Sequence, residues 1–349
     1  MALFNNDQLA QIEGYLANDQ TSEMLPALEG LVADMEAYID ENCVATDEVQ
    51  YFSFESPFEK LVYRRIENDP RTLESAPRPF SRAYSDYAFC LMRQNDFEGA
   101  AAALKQAIRW NPVNCAYRLD LAAILTRLGD YEEFLKLSFS VFPRSYSASH
   151  LVRAYLNFAA YFEKCEQYET AAACVKCAKR LNPDHPRVVN AASSLTLDHQ
   201  CDPDAQSDEL TQSLLAAQGI PEGANVEVVL CALLFADISA AQGDMNTCKD
   251  MAQVAVDLVG QQKAMELAQI VREQGEENYP DSEDDGFASK NEYANPAAQA
   301  TLDGAVRAVK QAAEPESASE SEAAAEPEAA AEPEAAAEPE ADAKSEPEA

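Results

Sequence analysis

Two segments of this chain repeat the same pattern, and they constrain the fold more than any other feature. Residues 95–112 read NDFEGAAAALKQAIRWNP, and residues 166–183 read EQYETAAACVKCAKRLNP. Between them lies GDYEEFLKLS at 129–138, which begins in the same way. A period near 34 residues is typical of stacked helical hairpins, since a single thin hairpin cannot bury its apolar face alone. The repeats therefore predict an all-α stack.

The first copy shows how such a hairpin would pack. Apolar and small residues recur at spacings of three and four on each side of a turn at 94–96, as in two amphipathic helices. Pro112 ends the unit because proline cannot continue a helix. The residues on the facing sides are Tyr84, Tyr87, Ala88, Leu91, Ala100, Leu104 and Ala107.

This pattern resembles the tetratricopeptide repeat. A second copy follows and then departs from the family pattern, because Ser138 stands where a large residue belongs and Pro143 arrives early. Its second helix is therefore expected to be short. The third copy, over 155–183, matches the pattern again. The resemblance implies an α-solenoid whose first helices line a protein-binding groove.

The remaining chain is organised around these repeats. Two helices are predicted within 6–42, another from Pro57 to about Asn68, and a proline-rich loop over 69–80. After the repeats we expect a helix at 186–197 paired with one at 207–219, a repeat-like unit at 229–260 and a capping helix. The predicted domains are a helical N-terminal region (1–80), three repeats (81–185), degenerate hairpins with the cap (186–275) and a disordered acidic tail (276–349).

The tail differs sharply in composition from the rest. Its Ala-Glu-Pro units place a proline in every short Ala-rich run, and their glutamates repel, so no packed core is expected there. Only 297–312, with Leu302, Val306 and Val309, offers a brief amphipathic helix.

Charge is distributed unevenly along the chain. The formal net charge is −35, yet residues 81–187 carry 14 Lys and Arg against 11 Asp and Glu. Such a negative protein repels phosphate backbones and anionic lipid, so nucleic acid and membrane surfaces are poor partners. No apolar run of membrane-spanning length and no leader-like N-terminus is seen. Nine cysteines, mostly at apolar helical positions, favour reduced thiols in the cytoplasm.

No catalytic or cofactor motif is recognisable in the sequence. The three histidines, His150, His185 and His199, do not adjoin a carboxylate or cysteine at catalytic spacing. We therefore expect neither an enzyme nor a bound cofactor or metal. One chemical alternative remains: Cys174 and Cys177, three residues apart on a helix, could form a thiol-based metal or redox sensor.

The leading interpretation is a non-enzymatic adaptor. If the resemblance holds, the inner surface alternates basic heads with apolar side chains, which suits an acidic amphipathic segment of a partner protein. Self-association through exposed repeat edges is a further possibility. The predicted groove residues are Arg82, Ser85, Phe89, Met92, Arg93, Leu119, Arg127, Arg153, Leu156 and Lys164.

Overall fold

The computed structural model describes residues 9–10, 12–14, 21–278 and 296–313. Residues 9–10 and 12–14 are helical. The elements that follow are α1 (Thr21–Asn42), β1 (Val49–Phe52), α2 (Pro57–Glu67), β2 (Thr72–Ser75), α3 (Phe80–Arg93), α4 (Phe97–Trp110), α5 (Cys115–Leu128), α6 (Tyr131–Phe139), α7 (Ala148–Lys164), α8 (Tyr168–Leu181), α9 (Pro186–His199), α10 (Asp208–Ala217), α11 (Val226–Ala241), α12 (Met245–Val259), α13 (Gln261–Asn278) and α14 (Pro296–Ala313).

Three consecutive hairpins, α3–α4, α5–α6 and α7–α8, form the predicted stack, and each helix packs on the next along the chain. Side-chain caps start two of the second helices: Asp96 Oδ1 accepts the Gly99 amide at 2.9 Å, and Asp130 Oδ1 accepts the Glu133 amide at 3.1 Å. Gly129 ends α5 with a left-handed φ of 81°. The solenoid interpretation is confirmed.

The second hairpin deviates as its sequence predicts. Helix α6 has only 9 residues, and the connection to α7 is long. Phe142 in this connection is buried, with its ring centroid 4.9 Å from that of Tyr155. The early proline therefore replaces the last helical turns with a packed loop.

Two short strands were not foreseen in the all-α prediction. Strand β1 pairs in parallel with β2, from Val49 opposite Thr72 to Phe52 opposite Ser75. The predicted loop over 69–80 thus contains a strand, and α3 already begins at Phe80. Helix α2 connects the strands and confirms the predicted helix, since Pro57 starts it and Asn68 caps it in a left-handed conformation.

A buried carboxylate holds α2 against the stack. Glu59 is 1% exposed and accepts hydrogen bonds from Tyr146 Oη at 2.6 Å, Asn111 Nδ2 at 2.9 Å and the Glu55 amide at 2.6 Å. Asn111 and Tyr146 lie in the connections between successive hairpins. Burial raises the pKa of Glu59 despite these donors. The α2 helix therefore lies along the edge of the stack where hairpins join.

The helices after the repeats are arranged differently from the prediction. Helix α9 packs on α8 and α7, but α10 packs on α8 and does not form a hairpin with α9. Ion pairs hold this displaced path: Lys176 lies 2.7 Å from Asp208, and Lys179 lies 2.5 Å from Asp204. The polar segment at 199–207 permits the detour because its side chains find partners on α8.

Helices α11 and α12 form the predicted repeat-like hairpin, and α13 packs on both as a cap. Helix α11 also packs on α2, with Phe58 and Phe235 rings 5.6 Å apart and Arg65 paired with Glu227 at 2.6 Å. The N-terminal region thus contacts the last hairpin directly.

Helix α14 occupies the short amphipathic stretch identified in the acidic tail. Its inward residues Ala298, Leu302, Ala305 and Val306 belong to the main core cluster, and Asp303 pairs with Arg65 of α2. Residues 1–311 form one compact unit, and of the second unit, 312–349, only the last two residues of α14 are described. The remainder of the predicted tail, 279–295 and 314–349, lies outside the described residues.

Candidate protein-binding surface

The predicted groove residues lie on the first helix of each hairpin, α3, α5 and α7. Five are on α3, two on α5 and three on α7. In chain order they are Arg82, Ser85, Phe89, Met92 and Arg93, then Leu119 and Arg127, then Arg153, Leu156 and Lys164.

Two of these positions are inside the protein. Leu119 is 1% exposed and Leu156 is 5% exposed, and both belong to the core cluster that contains Phe58 and Phe142. Neither side chain can contact a partner. Both side chains contribute instead to packing within this core cluster.

Two of the predicted cations are paired within the chain. Arg82 forms an ion pair with Glu13 of the N-terminal helix, and Arg153 Nη2 lies 2.7 Å from Asp120 Oδ1. Because each positive charge faces an internal carboxylate, these arginines contribute little net attraction for an acidic ligand.

Two further cations rest on aromatic rings. The Arg127 guanidinium lies 5.3 Å from the Phe97 ring centroid, and the Lys164 ammonium lies 3.9 Å from that of Tyr131. Such contacts hold a cation in place without neutralising its charge. Both cations therefore remain available to an anionic partner.

This arrangement recurs once more along the chain. His199, at the end of α9, stacks on Tyr168 with centroids 3.9 Å apart and an interplanar angle of 13°. In each case the ring belongs to the first residue of the second helix of a hairpin. Its partner lies at the end of the helix that follows that hairpin. The sequence signal for this arrangement is an aromatic residue at the first position of each second helix, with Arg, Lys or His about one repeat later.

The remaining predicted residues are on α3. Ser85, Phe89 and Met92 are half-buried, Met92 against the core of the first hairpins, and Arg93 is exposed at the end of the helix. Phe89, Arg93, Arg127 and Lys164 together are called the helix-end surface below. It combines three cations with one accessible aromatic ring.

An acidic residue next to this surface has an unusual environment. Asp86 of α3 has a buried Oδ2 for which no hydrogen-bond donor is found among the described residues. Burial and, to a smaller extent, the neighbouring Glu13 raise the pKa of Asp86 to about 7 although Arg82 acts to lower it. The carboxyl group thus titrates near neutral pH.

The cysteine pair lies in the helix packing. Cys174 and Cys177 on α8 are 0% and 3% exposed, and burial raises the pKa of both thiols, that of Cys177 to about 11. A reactive or metal-binding cysteine needs the thiolate, which burial disfavours. Among the described residues, no group of three or more His, Cys, Asp or Glu side chains is arranged to hold a metal ion.

The other histidines have local roles. His185 Nδ1 accepts the Arg187 amide at 3.2 Å and so caps α9, and burial lowers the pKa of His150. Within the described part of the chain, no helix has the length and apolar character needed to cross a membrane.

The comparison with known families agrees with this geometry. Residues 81–114, which form α3 and α4, match the family model of the tetratricopeptide repeat. No curated protein matches the chain. The chain therefore contains a tetratricopeptide repeat at 81–114, within a stack of helical hairpins.

Proposed function

We propose that this chain is a non-enzymatic scaffold of the cytoplasm that holds a partner protein through its helix-end surface. Tetratricopeptide repeats suggest protein binding in general terms, and 81–114 is matched as such a repeat. All nine cysteines are free, which suits a reducing compartment. The ligand proposed is an acidic amphipathic segment.

One observation carries the proposal. Arg93, Arg127 and Lys164 end the first helices of three successive hairpins, and the last two are supported by the rings of Phe97 and Tyr131. Such a set of cations, two of them held on aromatic rings, favours carboxylates on an extended or helical ligand. Phe89 supplies an apolar contact beside these cations.

The proposed surface contains fewer residues than the groove predicted from the sequence. Leu119 and Leu156 are excluded by their burial, and Arg82 and Arg153 by their ion pairs with Glu13 and Asp120. Asp96 and Asp130 lie in the same turns, but their carboxylates already accept backbone amides at helix starts. The sensor alternative at Cys174 and Cys177 has no observation in its favour.

The test reverses the two arginines of this set. Arg93→Glu with Arg127→Glu should remove most of the partner protein captured from the native cell, measured by quantitative mass spectrometry at fixed salt. The matched control, Lys105→Glu with Lys249→Glu, makes the same change in net charge at exposed positions outside this surface. It should capture the partner normally.

If the folded Arg93 and Arg127 double variant captures the same proteins in the same amounts, partner binding lies elsewhere. Circular dichroism of each variant establishes that the helices are intact.

A further inference from the structure

Among the described residues, one side of helix α9 is left uncovered because its expected partner is displaced. Val188 and Leu195, 0% and 1% exposed, face the core, where α9 packs on α8 and α7. In a complete hairpin the next helix would cover a second side of α9, but α10 packs on α8 instead.

A stripe of residues follows this open side. Their spacings of three, four, seven and eight residues put them on one face of the helix. Val189 is 47% exposed and Leu197, about two turns further along, is 79% exposed, which is unusual for two large aliphatic side chains on one helix face. The stripe, called the α9 face below, consists of Val189, Ala192, Ser193, Thr196 and Leu197.

The two hydroxyl groups on the α9 face are turned back to the helix. Ser193 Oγ donates to the Val189 carbonyl at 2.8 Å, and Thr196 Oγ1 donates to the Ala192 carbonyl at 2.8 Å. Their polar atoms are therefore already hydrogen-bonded. An apolar ligand could cover the face without leaving these groups unpaired.

A cavity of about 340 Å³ adjoins the α9 face. Besides residues of the α9 face, Lys179, Pro183, Asp202 and Asp204 line this cavity. Its volume falls at the small end of the range typical of binding sites, and its lining mixes the apolar α9 face with polar side chains.

The charge around this cavity is negative. Lys179, the cation in its lining, is paired with Asp204 at 2.5 Å, which leaves Asp202 in excess. Asp198, on the last turn of α9, is exposed. The net charge of −35 on the whole chain adds a long-range attraction for cations.

We propose that the α9 face is a docking site for a basic amphipathic helix of another protein. Aliphatic residues on one side of that helix would cover Val189 and Leu197, in place of the missing hairpin helix, and Lys or Arg residues would face Asp198 and Asp202. This site is independent of the helix-end surface.

The probe is a fluorescent synthetic helix of about 18 residues with Leu on one face and Lys on the other. It should bind the full chain saturably in fluorescence anisotropy at about 0.15 M salt, while the same peptide with Glu in place of Lys should not. Hydrogen exchange should show new protection within 186–199.

The variants separate apolar docking from charge attraction. Val189→Asp with Leu197→Asp should weaken binding of the Leu/Lys probe roughly tenfold or more. Because both substitutions add negative charge, the double variant would bind the probe more tightly if binding depended on charge attraction alone. The control Met265→Asp changes another exposed side chain, 65% accessible on α13, and should leave affinity within about twofold. Arg93→Glu with Arg127→Glu should also leave this affinity unchanged.

Several results would overturn the proposal. Undiminished binding to the Val189 and Leu197 double variant would mean adsorption by charge alone, and absence of binding to the wild-type chain would exclude the site. Preference for the Glu peptide would refute the basic partner. If the wild-type chain forms a dimer and the double variant is a monomer, the α9 face binds a second copy of this chain instead.

Discussion

At the scale of single residues, Asp86 couples stability to pH. Its carboxyl group lies beside Glu13 with a buried oxygen, and its pKa is about 7, whereas an aspartate in an unfolded chain has a pKa near 4. The folded state therefore binds the proton more tightly. Stability from this group is complete at pH values below about 4 and is lost as pH rises through about 7.

We expect Asp86→Asn to be more stable than the wild type at about pH 8, and the difference to shrink as pH falls toward about 4. Urea unfolding at several pH values measures this. Burial also raises the pKa of Glu59. Its effect on the pH dependence of stability is the same in both proteins, so it cancels in the comparison. The control Asp250→Asn removes an exposed carboxylate. Parallel pH profiles for Asp86→Asn and wild type would contradict the assignment.

At the scale of elements, α14 shows how a short helix in a weakly patterned region is held. Leu302 is 1% exposed, Asp303 pairs with Arg65, and a side chain added at Gly304 would meet Gln274 of α13. The structure places α14 against α2 and α13, so these contacts do not occupy the helix-end surface.

Leu302→Ala should lower the free energy of unfolding by about 2–5 kcal/mol, because it removes buried methyl groups and leaves a cavity. Chemical denaturation monitored by circular dichroism gives the value. The neighbouring exposed residue Lys310 provides the control, since Lys310→Ala should change stability by less than about 0.5 kcal/mol. A Leu302→Ala protein as stable as the wild type would show that α14 is not docked in solution.

At the scale of the whole molecule, two long-range contacts connect regions distant in sequence. Helix α2, between the paired strands, packs on α11 near the other end of the stack, and Arg65 pairs with both Glu227 and Asp303. The last hairpin is thus joined to the N-terminal region as well as to its neighbours. A purely nearest-neighbour stack would lack such cross-links.

Deleting residues 314–349 should leave the thermal midpoint within about 5 °C of the full chain, since this segment has no core-forming pattern. Differential scanning calorimetry measures the midpoint. A larger fall would show that part of the segment packs on the protein. Deletion from residue 296 onward is the informative comparison, because it also removes the buried face of α14 and should be clearly destabilising.

Much of the helical architecture was predictable because its signals are local. The caps Asp96 and Asp130, the start at Pro57 and the stop at Gly129 act on backbone groups within a few residues of themselves. The short α6 follows from Pro143 in the same way. Periodic apolar residues then identified which sides of these helices meet.

The candidate surface was only partly predictable. Helical spacing put Phe89, Arg93, Arg127 and Lys164 on the accessible side of their helices, where the structure also has them. Leu119 and Leu156 have the same spacing, yet they are buried. Spacing reports which side of a helix is apolar but not what distant element covers it.

By itself, the sequence determined the hairpins, their order and the irregularity of the second one, since these depend on residues close together in the chain. Tertiary structure alone decided that β1 pairs with β2, that α10 leaves α9 uncovered, and that Glu13 and Asp120 neutralise Arg82 and Arg153. Each of those outcomes depends on contacts between separate elements, which local periodicity and capping do not encode.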